Sequence, residues 1–211
     1  LIDTIFVGQW IGSLAIAAVS VVLPITFLIS SLGMALGIGG SSIISRALGA
    51  ENREKALQTF GNQIVLTLGL AILAVLVGLL YSEEVLLLFG ANGEIMQPAM
   101  DFFIPVLYGV PFLALCMMGN TVIRAEGKPK FAMIAMIIPA FSNIILDVIF
   151  IKFLNLGMFG AALATSISYF MCFAFILWFF IYKSELRLQL KHYTLDFKIV
   201  SEISSLGFVT F

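Results

Sequence analysis

The 211 residues include 61% apolar side chains and 11% charged ones, whereas a soluble domain carries about 25% charged residues. This composition excludes an ordinary water-soluble globule and favours helices that contact lipid and one another. The net charge of −1 supplies no clustered basic face for phosphates, which excludes nucleic-acid binding.

Five segments are long and apolar enough to cross a bilayer, because about 30 Å of hydrocarbon requires about 20 helical residues. In chain order they are predicted over residues 14–38, 60–81, 99–123, 131–151 and 159–182. Residues 1–7 are interpreted as the end of an earlier helix and residues 199–211 as the start of a later one. The expected fold is therefore an all-α membrane helix bundle, and the chain is expected to be part of a longer protein.

The basic residues sort to one side of these spans. Short connections make successive helices antiparallel, so alternate connections face opposite sides of the membrane. Of the eleven basic residues, Lys152 alone then falls on the second side. The other ten are Arg46, Arg53, Lys55, Arg124, Lys128, Lys130, Lys183, Arg187, Lys191 and Lys198. The excess of positive charge predicts that their side is cytoplasmic, in a multi-pass protein of a bacterial inner membrane.

The polar segment 183–198 is predicted to join the five-span bundle to a second one. Leu186 and Leu190 lie one helical turn apart, as an amphipathic helix at the cytoplasmic interface requires. A solvated linker is an equal alternative. The expected organisation is an N-terminal transmembrane lobe (1–182), a cytoplasmic linker (183–198) and the start of a further lobe (199–211).

Two acidic residues fall inside predicted helices. Asp3 lies in the truncated first helix and Asp147 in the fourth full span. A carboxylate at a helix centre costs about 3 kcal/mol on insertion scales, so such residues are usually functional. Asn143 shares a helix face with Asp147, and Pro139 lies a further turn back, where it bends the helix.

Thr165 in the next span is placed to complete this polar cluster. We expect the cluster of Asp3, Asn143, Asp147 and Thr165 to line a cavity inside the bundle and to bind a proton or a small cation. The alternative is a network of hydrogen bonds between helices that only fixes their packing.

Other polar residues do not indicate catalysis. His192 is the only histidine and has no second ligand nearby in the basic linker, so neither a zinc site nor a histidine-based catalytic group is predicted. Cys116 and Cys172 lie in apolar runs, where a thiol is usually a small buried hydrophobe. We expect no enzyme activity and no cofactor apart from the proton or small cation at the polar cluster.

Four motifs follow one another in order along the chain. They are Ile2-Asp-Thr-Ile-Phe-Val-Gly8, Ser45-Arg-Ala-Leu-Gly-Ala50, Arg124-Ala-Glu-Gly-Lys-Pro-Lys130 and Asn143-Ile-Ile-Leu-Asp147. Together they resemble the multidrug and toxic compound extrusion (MATE) transporters, over nearly the whole chain. The resemblance implies a fold of about twelve helices in two lobes. The five full spans would be helices 2 to 6, preceded by the end of helix 1 and followed by the start of helix 7.

The resemblance also implies roles for individual residues. In prokaryotic members the helix 1 aspartate forms a cation site with an asparagine and an aspartate of helix 5 and a threonine of helix 6. The matching positions here are Asp3, Asn143, Asp147 and Thr165. A tyrosine often found at the outer start of helix 4 corresponds to Phe102, which lacks the hydroxyl. Phe102 and Pro139 are expected to line the substrate cavity.

The function implied is efflux of amphipathic, often cationic compounds in exchange for H⁺ or Na⁺. One alternative is a lipid-linked precursor flippase or polysaccharide exporter of the same superfamily, which would favour basic residues in mid-membrane. Another is a structural membrane assembly protein whose aspartates only hold helices together. Expected partners are small amphipathic or cationic molecules, membrane lipid and a C-terminal lobe of the same polypeptide.

Overall fold

The computed structural model describes residues 2–189 and 192–208, except for the side chains of Ile2 and Asp3. The α-helices in these ranges are α1 (Ile2–Trp10), α2 (Ser13–Gly49), α3 (Arg53–Leu80), α4 (Ser82–Leu88), α5 (Met96–Ala125), α6 (Pro129–Asp147), α7 (Gly157–Tyr182) and α8 (Phe197–Phe208). A 3-10 turn, Gly93–Ile95, precedes α5, and a π-helical segment, Val148–Phe153, continues α6. The described ranges contain no strand, which confirms the all-α prediction.

Five helical segments of the described chain are long and apolar enough to span a membrane. They are Ser13–Gly49, Arg53–Leu80, Gly93–Ala125, Pro129–Phe153 and Gly157–Tyr182. The predicted number of complete spans is therefore confirmed. The earlier helix and the later helix correspond to α1 and α8, although Leu1 and residues 209–211 lie outside the described residues.

The largest difference from the predicted bounds is at the end of α2. The predicted membrane span ends at Ile38, whereas the helix continues through the glycine-rich segment to Gly49. Gly39 packs against the Ile203 carbonyl of α8, and Gly40 packs against the Gln63 side chain of α3. Close approach of neighbouring helices at these glycines keeps this segment helical.

Helix α5 is the centre of the bundle. It contacts α2, α3, α6 and α7. In its most apolar stretch of 18 residues, 67% of the residues are buried, against 17 to 28% in the corresponding stretches of the other four spans. Two of its three prolines, Pro105 and Pro111, lie inside the helix without ending it. The outer spans leave many apolar side chains exposed, as helices that face lipid do.

Apart from Lys152, the described basic residues gather at one end of the bundle, which we call the basic end. Glu202 of α8 lies 3.6 Å from the guanidinium of Arg46 and 3.8 Å from the amine of Lys55. Lys128 donates a hydrogen bond to the Lys183 carbonyl oxygen at 2.7 Å. These contacts bring together the end of α2, the start of α3, the α5–α6 connection and the end of α7, as antiparallel spans require. That the basic end is cytoplasmic stays a prediction.

The segment between α7 and α8 packs onto the basic end. Its described part contains no α-helix before Phe197, and Leu186 and His192 are buried. The Asn62 side chain of α3 accepts a hydrogen bond from the Asp196 backbone N–H at 2.6 Å. Leu190, the second residue of the amphipathic pattern, and Lys191 lie outside the described residues. The described residues are neither an interfacial α-helix nor a fully solvated linker.

Candidate functional site

Asp147 is the last residue of α6 and is 0% exposed. The π-helical segment Val148–Phe153 begins directly after it. Such segments are rare in proteins and occur frequently at functional sites. Burying a charged carboxylate is costly unless a proton, a cation or a polar partner compensates the charge. The position of Asp147 therefore makes it the central residue of a candidate site.

Asn143 lies one turn before Asp147 on α6 and connects this helix to α7. Its amide nitrogen donates a hydrogen bond to the Thr165 hydroxyl at 3.4 Å, and that hydroxyl donates to the Ala161 carbonyl oxygen at 3.1 Å. Amide and carboxylate oxygens are suitable ligands for hard cations. Three of the four residues predicted for the site thus occupy neighbouring turns of two packed helices.

Asp3, the fourth predicted residue, belongs to α1, but its side chain lies outside the described residues. The described part of α1 contacts α6, the π-helical segment and α7. The Lys152 amine lies 5.7 Å from the ring centroid of Trp10, and Trp10 stacks on Phe6 with a centroid separation of 4.6 Å. Helix α1 is therefore packed against the elements that carry Asn143, Asp147 and Thr165.

The two residues predicted to line a substrate cavity occupy different environments. Pro139 is half-buried inside α6, two turns before Asp147. Phe102 lies near the start of α5 and is buried in the same cluster of apolar side chains as Val7 and Ile151. Phe102 thus packs in the core close to α1 and the π-helical segment. A role for either residue in a substrate cavity stays a prediction.

Gln63 is a buried polar residue that is not among those predicted from the sequence. Its amide nitrogen donates to the carbonyl oxygens of Leu36 at 2.8 Å and Gly37 at 3.0 Å. These bonds attach α3 to α2 where the glycine-rich segment begins. The amide side chain itself indicates such a contact, because a polar residue inside an apolar span is expected to form hydrogen bonds with a neighbouring helix.

Glu126 forms a second polar cluster, at the basic end. Its side chain is 2% exposed, accepts hydrogen bonds from the Ser184 hydroxyl and from the Glu185 backbone N–H, and lies 3.7 Å from the Lys128 amine. Burial raises the pKa of the Glu126 carboxyl, against the opposing effects of these three partners. The carboxyl joins the α5–α6 connection to the segment that follows α7.

The described side chains include no group of three or more histidine, cysteine, aspartate or glutamate residues that could hold a metal ion. Glu126 precedes the start of α6 and Asp147 is its last residue, so the two carboxylates lie at opposite ends of this helix. At Asp147, any bound cation would depend on amide, hydroxyl or backbone oxygens in addition to carboxylate.

Comparison with known proteins gives consistent matches. The family model described as MatE matches residues 1–149. The chain is 32% identical over 212 residues to the multidrug export protein MepA of Staphylococcus saprophyticus and 30% identical to MepA of Staphylococcus aureus, in each case covering 100% of this chain and 47% of the relative.

The fold matches a solved structure described as the inward-facing conformation of a multidrug resistance MATE family transporter of the MOP superfamily. The TM-score is 0.92 at 30% sequence identity, and the match covers 98% of this chain and 47% of that one. The chain therefore spans about half the length of the proteins it matches.

Proposed function

The chain belongs to the MatE family, and we propose that it acts as the N-terminal lobe of a multidrug efflux transporter. The whole protein is proposed to export amphipathic, often cationic compounds in exchange for H⁺ or Na⁺. The relatives named multidrug export proteins support the substrate class. The observation that carries the coupling proposal is the full burial of Asp147 beside the Asn143–Thr165 hydrogen bond.

Coupling requires that the cation and the substrate stabilise different conformations, because a ligand with equal affinity for both shifts no equilibrium. Binding of a cation or a proton at Asp147 changes the charge where α6 meets the π-helical segment. Helix α1 packs against this junction. We infer that neutralising Asp147 alters the packing of α1, with Asp3 as the partner on that helix.

The coupling ion depends on how many ligands take part. A proton requires only a carboxylate, whereas Na⁺ requires several oxygen ligands around one position. Asn143 and Asp147 lie one turn apart and supply amide and carboxylate oxygens, and Thr165 supplies a hydroxyl next to them. Removing the Asn143 amide should therefore weaken Na⁺ coupling more than H⁺ coupling.

The proposal is tested with the full-length protein in proteoliposomes that contain a fluorescent cationic dye. Gradients of pH and Na⁺ are imposed separately, and dye efflux is followed. Asp3→Asn and Asp147→Asn should each remove most of the gradient-driven efflux, because an amide neither takes up the coupling proton nor supplies the negative charge that binds a cation. Asp101→Asn is the matched control, because Asp101 is an exposed aspartate at the start of α5.

Three outcomes would overturn the proposal. Efflux that survives in both Asp3→Asn and Asp147→Asn would exclude the carboxylate site as the coupling site. Loss of folded yield in these variants, with normal transport by the molecules that do fold, would support the structural alternative. A flippase would move a lipid-linked precursor but not the dye.

A further inference from the structure

An apolar groove lies between α3, α5 and α7 at the basic end of the bundle. Its volume is about 500 Å³. The floor includes Phe60 and Ile176, which are 2% and 3% exposed, and the outer wall includes Leu68, Leu177 and Ile181, which are 37%, 45% and 55% exposed. The groove is therefore deep but opens sideways, towards the surface that these spans present to the lipid.

The end of the groove is formed by the segment that follows α7. Leu186 and Leu188 contribute apolar side chains there, next to Arg187 and Tyr193. The Arg187 side chain is exposed, and no carboxylate of the described residues lies within 4 Å of its guanidinium. Among the described residues, Arg187 is thus a cation without a carboxylate partner, and it lies at one end of a groove whose walls are apolar.

The length of the groove corresponds to one leaflet of a bilayer. Its α3 residues run from Phe60 to Leu68 and its α7 residues from Phe173 to Ile181. Eight residues of helix extend about 12 Å. One leaflet contributes about half of the 30 Å of hydrocarbon. An extended chain whose polar end lies at Arg187 would therefore follow the groove towards the middle of the membrane.

We propose that this groove binds a phospholipid with an anionic headgroup. One acyl chain lies along α3, α5 and α7, and the lipid phosphate lies against Arg187, with the Tyr193 hydroxyl as a further hydrogen-bond donor. Arginine suits this role because its guanidinium binds phosphate oxygens in a bidentate manner. No residue lining the groove belongs to α1 or α6, so the lipid site is independent of the proposed coupling site.

The lining favours a lipid over a small transported molecule. All the residues that α3, α5 and α7 contribute are apolar or glycine, and the polar side chains lie at one end. Sites for small molecules combine apolar walls with several converging polar groups that fix orientation. A charged end and a long apolar remainder match the charge distribution of a phospholipid at a membrane surface.

Native mass spectrometry of the full-length protein tests the proposal, with phosphatidylglycerol and phosphatidylethanolamine of identical acyl chains as probes. The wild type should retain phosphatidylglycerol preferentially. Arg187→Gln should reduce that preference about fivefold, as expected for one basic residue at an anionic membrane surface. Lys130→Gln, which removes an exposed charge at the same end but outside the groove, should leave the preference unchanged.

Leu177→Trp adds bulk at the open side of the groove and should lower retention of both lipids without disturbing the buried floor. Equal retention of the two lipids by the wild type, or equal effects of Arg187→Gln and Lys130→Gln, would overturn the proposal. Displacement of the groove's occupant by a transported dye would also overturn it. Asp147→Asn should retain lipid normally, which separates failure of this proposal from failure of the transport proposal.

Discussion

Asn143, which lies one turn before the buried Asp147 on α6, donates a hydrogen bond to the hydroxyl of Thr165 on α7. This contact joins the two helices beside the proposed coupling site. Because the Thr165 hydroxyl gives its own proton to Ala161, it is available to Asn143 only as an acceptor. The Asn143 amide is thereby oriented by a neighbour that does not itself carry charge.

Thr165→Val should separate this interhelical hydrogen bond from ordinary hydroxyl packing. The variant keeps the side-chain shape and should lower the free energy of unfolding by about 0.6 kcal/mol, the average for such bonds between membrane helices. Thr121→Val is the control, because the Thr121 hydroxyl bonds only to Met118 of its own helix among the described residues. Thermal unfolding in detergent measures both. Equal destabilisation would show that the contact with Asn143 contributes nothing.

Gln63→Leu should weaken the attachment of α3 to α2. The substitution removes two hydrogen bonds to buried carbonyl oxygens, at a cost of about 1 to 3 kcal/mol. Gln58→Leu, at an exposed position of the same helix, should change the unfolding temperature little. An unchanged unfolding temperature in Gln63→Leu would contradict the expected role of this amide.

Gly39→Ala should disturb the contact between α2 and α8. A Cβ atom at this position would overlap the Ile203 carbonyl oxygen, so α8 must shift outward. Gly49→Ala provides the control, because nothing lies within 4 Å of an added Cβ there. The first variant should unfold at a lower temperature, although alanine is intrinsically the better helix former by about 1 kcal/mol. A gain in stability in Gly39→Ala would mean that α8 does not pack closely in the whole protein.

Glu126 should make stability depend on pH. Because burial raises the pKa of this carboxyl, the folded state binds its proton more tightly than the unfolded chain does. The resulting stabilisation is complete below the ordinary pKa of a glutamate and is lost as the pH rises through the raised pKa of the folded protein. Glu126→Gln should flatten this dependence, although its single side-chain oxygen replaces only one of the two carboxylate oxygens that accept from Ser184 and Glu185.

Thermal unfolding between about pH 4 and pH 8 measures this effect. Glu94→Gln, which changes an exposed glutamate at the opposite end, should follow the wild-type curve. If Glu126→Gln also follows that curve, the proton on Glu126 does not contribute to the attachment of the segment after α7.

Accessibility to a membrane-impermeant maleimide should establish the orientation of the bundle. Lys130→Cys lies at the basic end and Lys152→Cys lies beyond α6 at the other, while the native Cys116 and Cys172 are buried. With the unsubstituted protein as background, the first variant should be labelled only in inverted vesicles and the second only in intact cells. The reverse pattern would contradict the proposed cytoplasmic position of the basic end.

The candidate site was partly predictable because burial of polar groups in lipid is costly wherever it occurs. Asp147 and Asn143 stand out as polar residues in an apolar span, and Asn143 bonds to Thr165, but their role as a cation site stays a prediction. Asp3 was selected on the same ground and stays a prediction at the level of its side chain. The π-helical segment after Asp147 was not predictable, because its hydrogen-bond register depends on packing against α1 and α7.

The five spans and the gathering of basic residues at one end follow from composition alone, because the transfer of each segment into lipid depends on its own residues and length. Two features are seen only in the folded structure. Helix α2 continues through its glycine-rich segment to Gly49, and Leu186 and His192 are buried at the basic end. These features depend on contacts with α3 and α8 and with other segments distant in sequence. Solvation acts on each residue separately, whereas close contact between two helices requires a partner that the fold must bring into place.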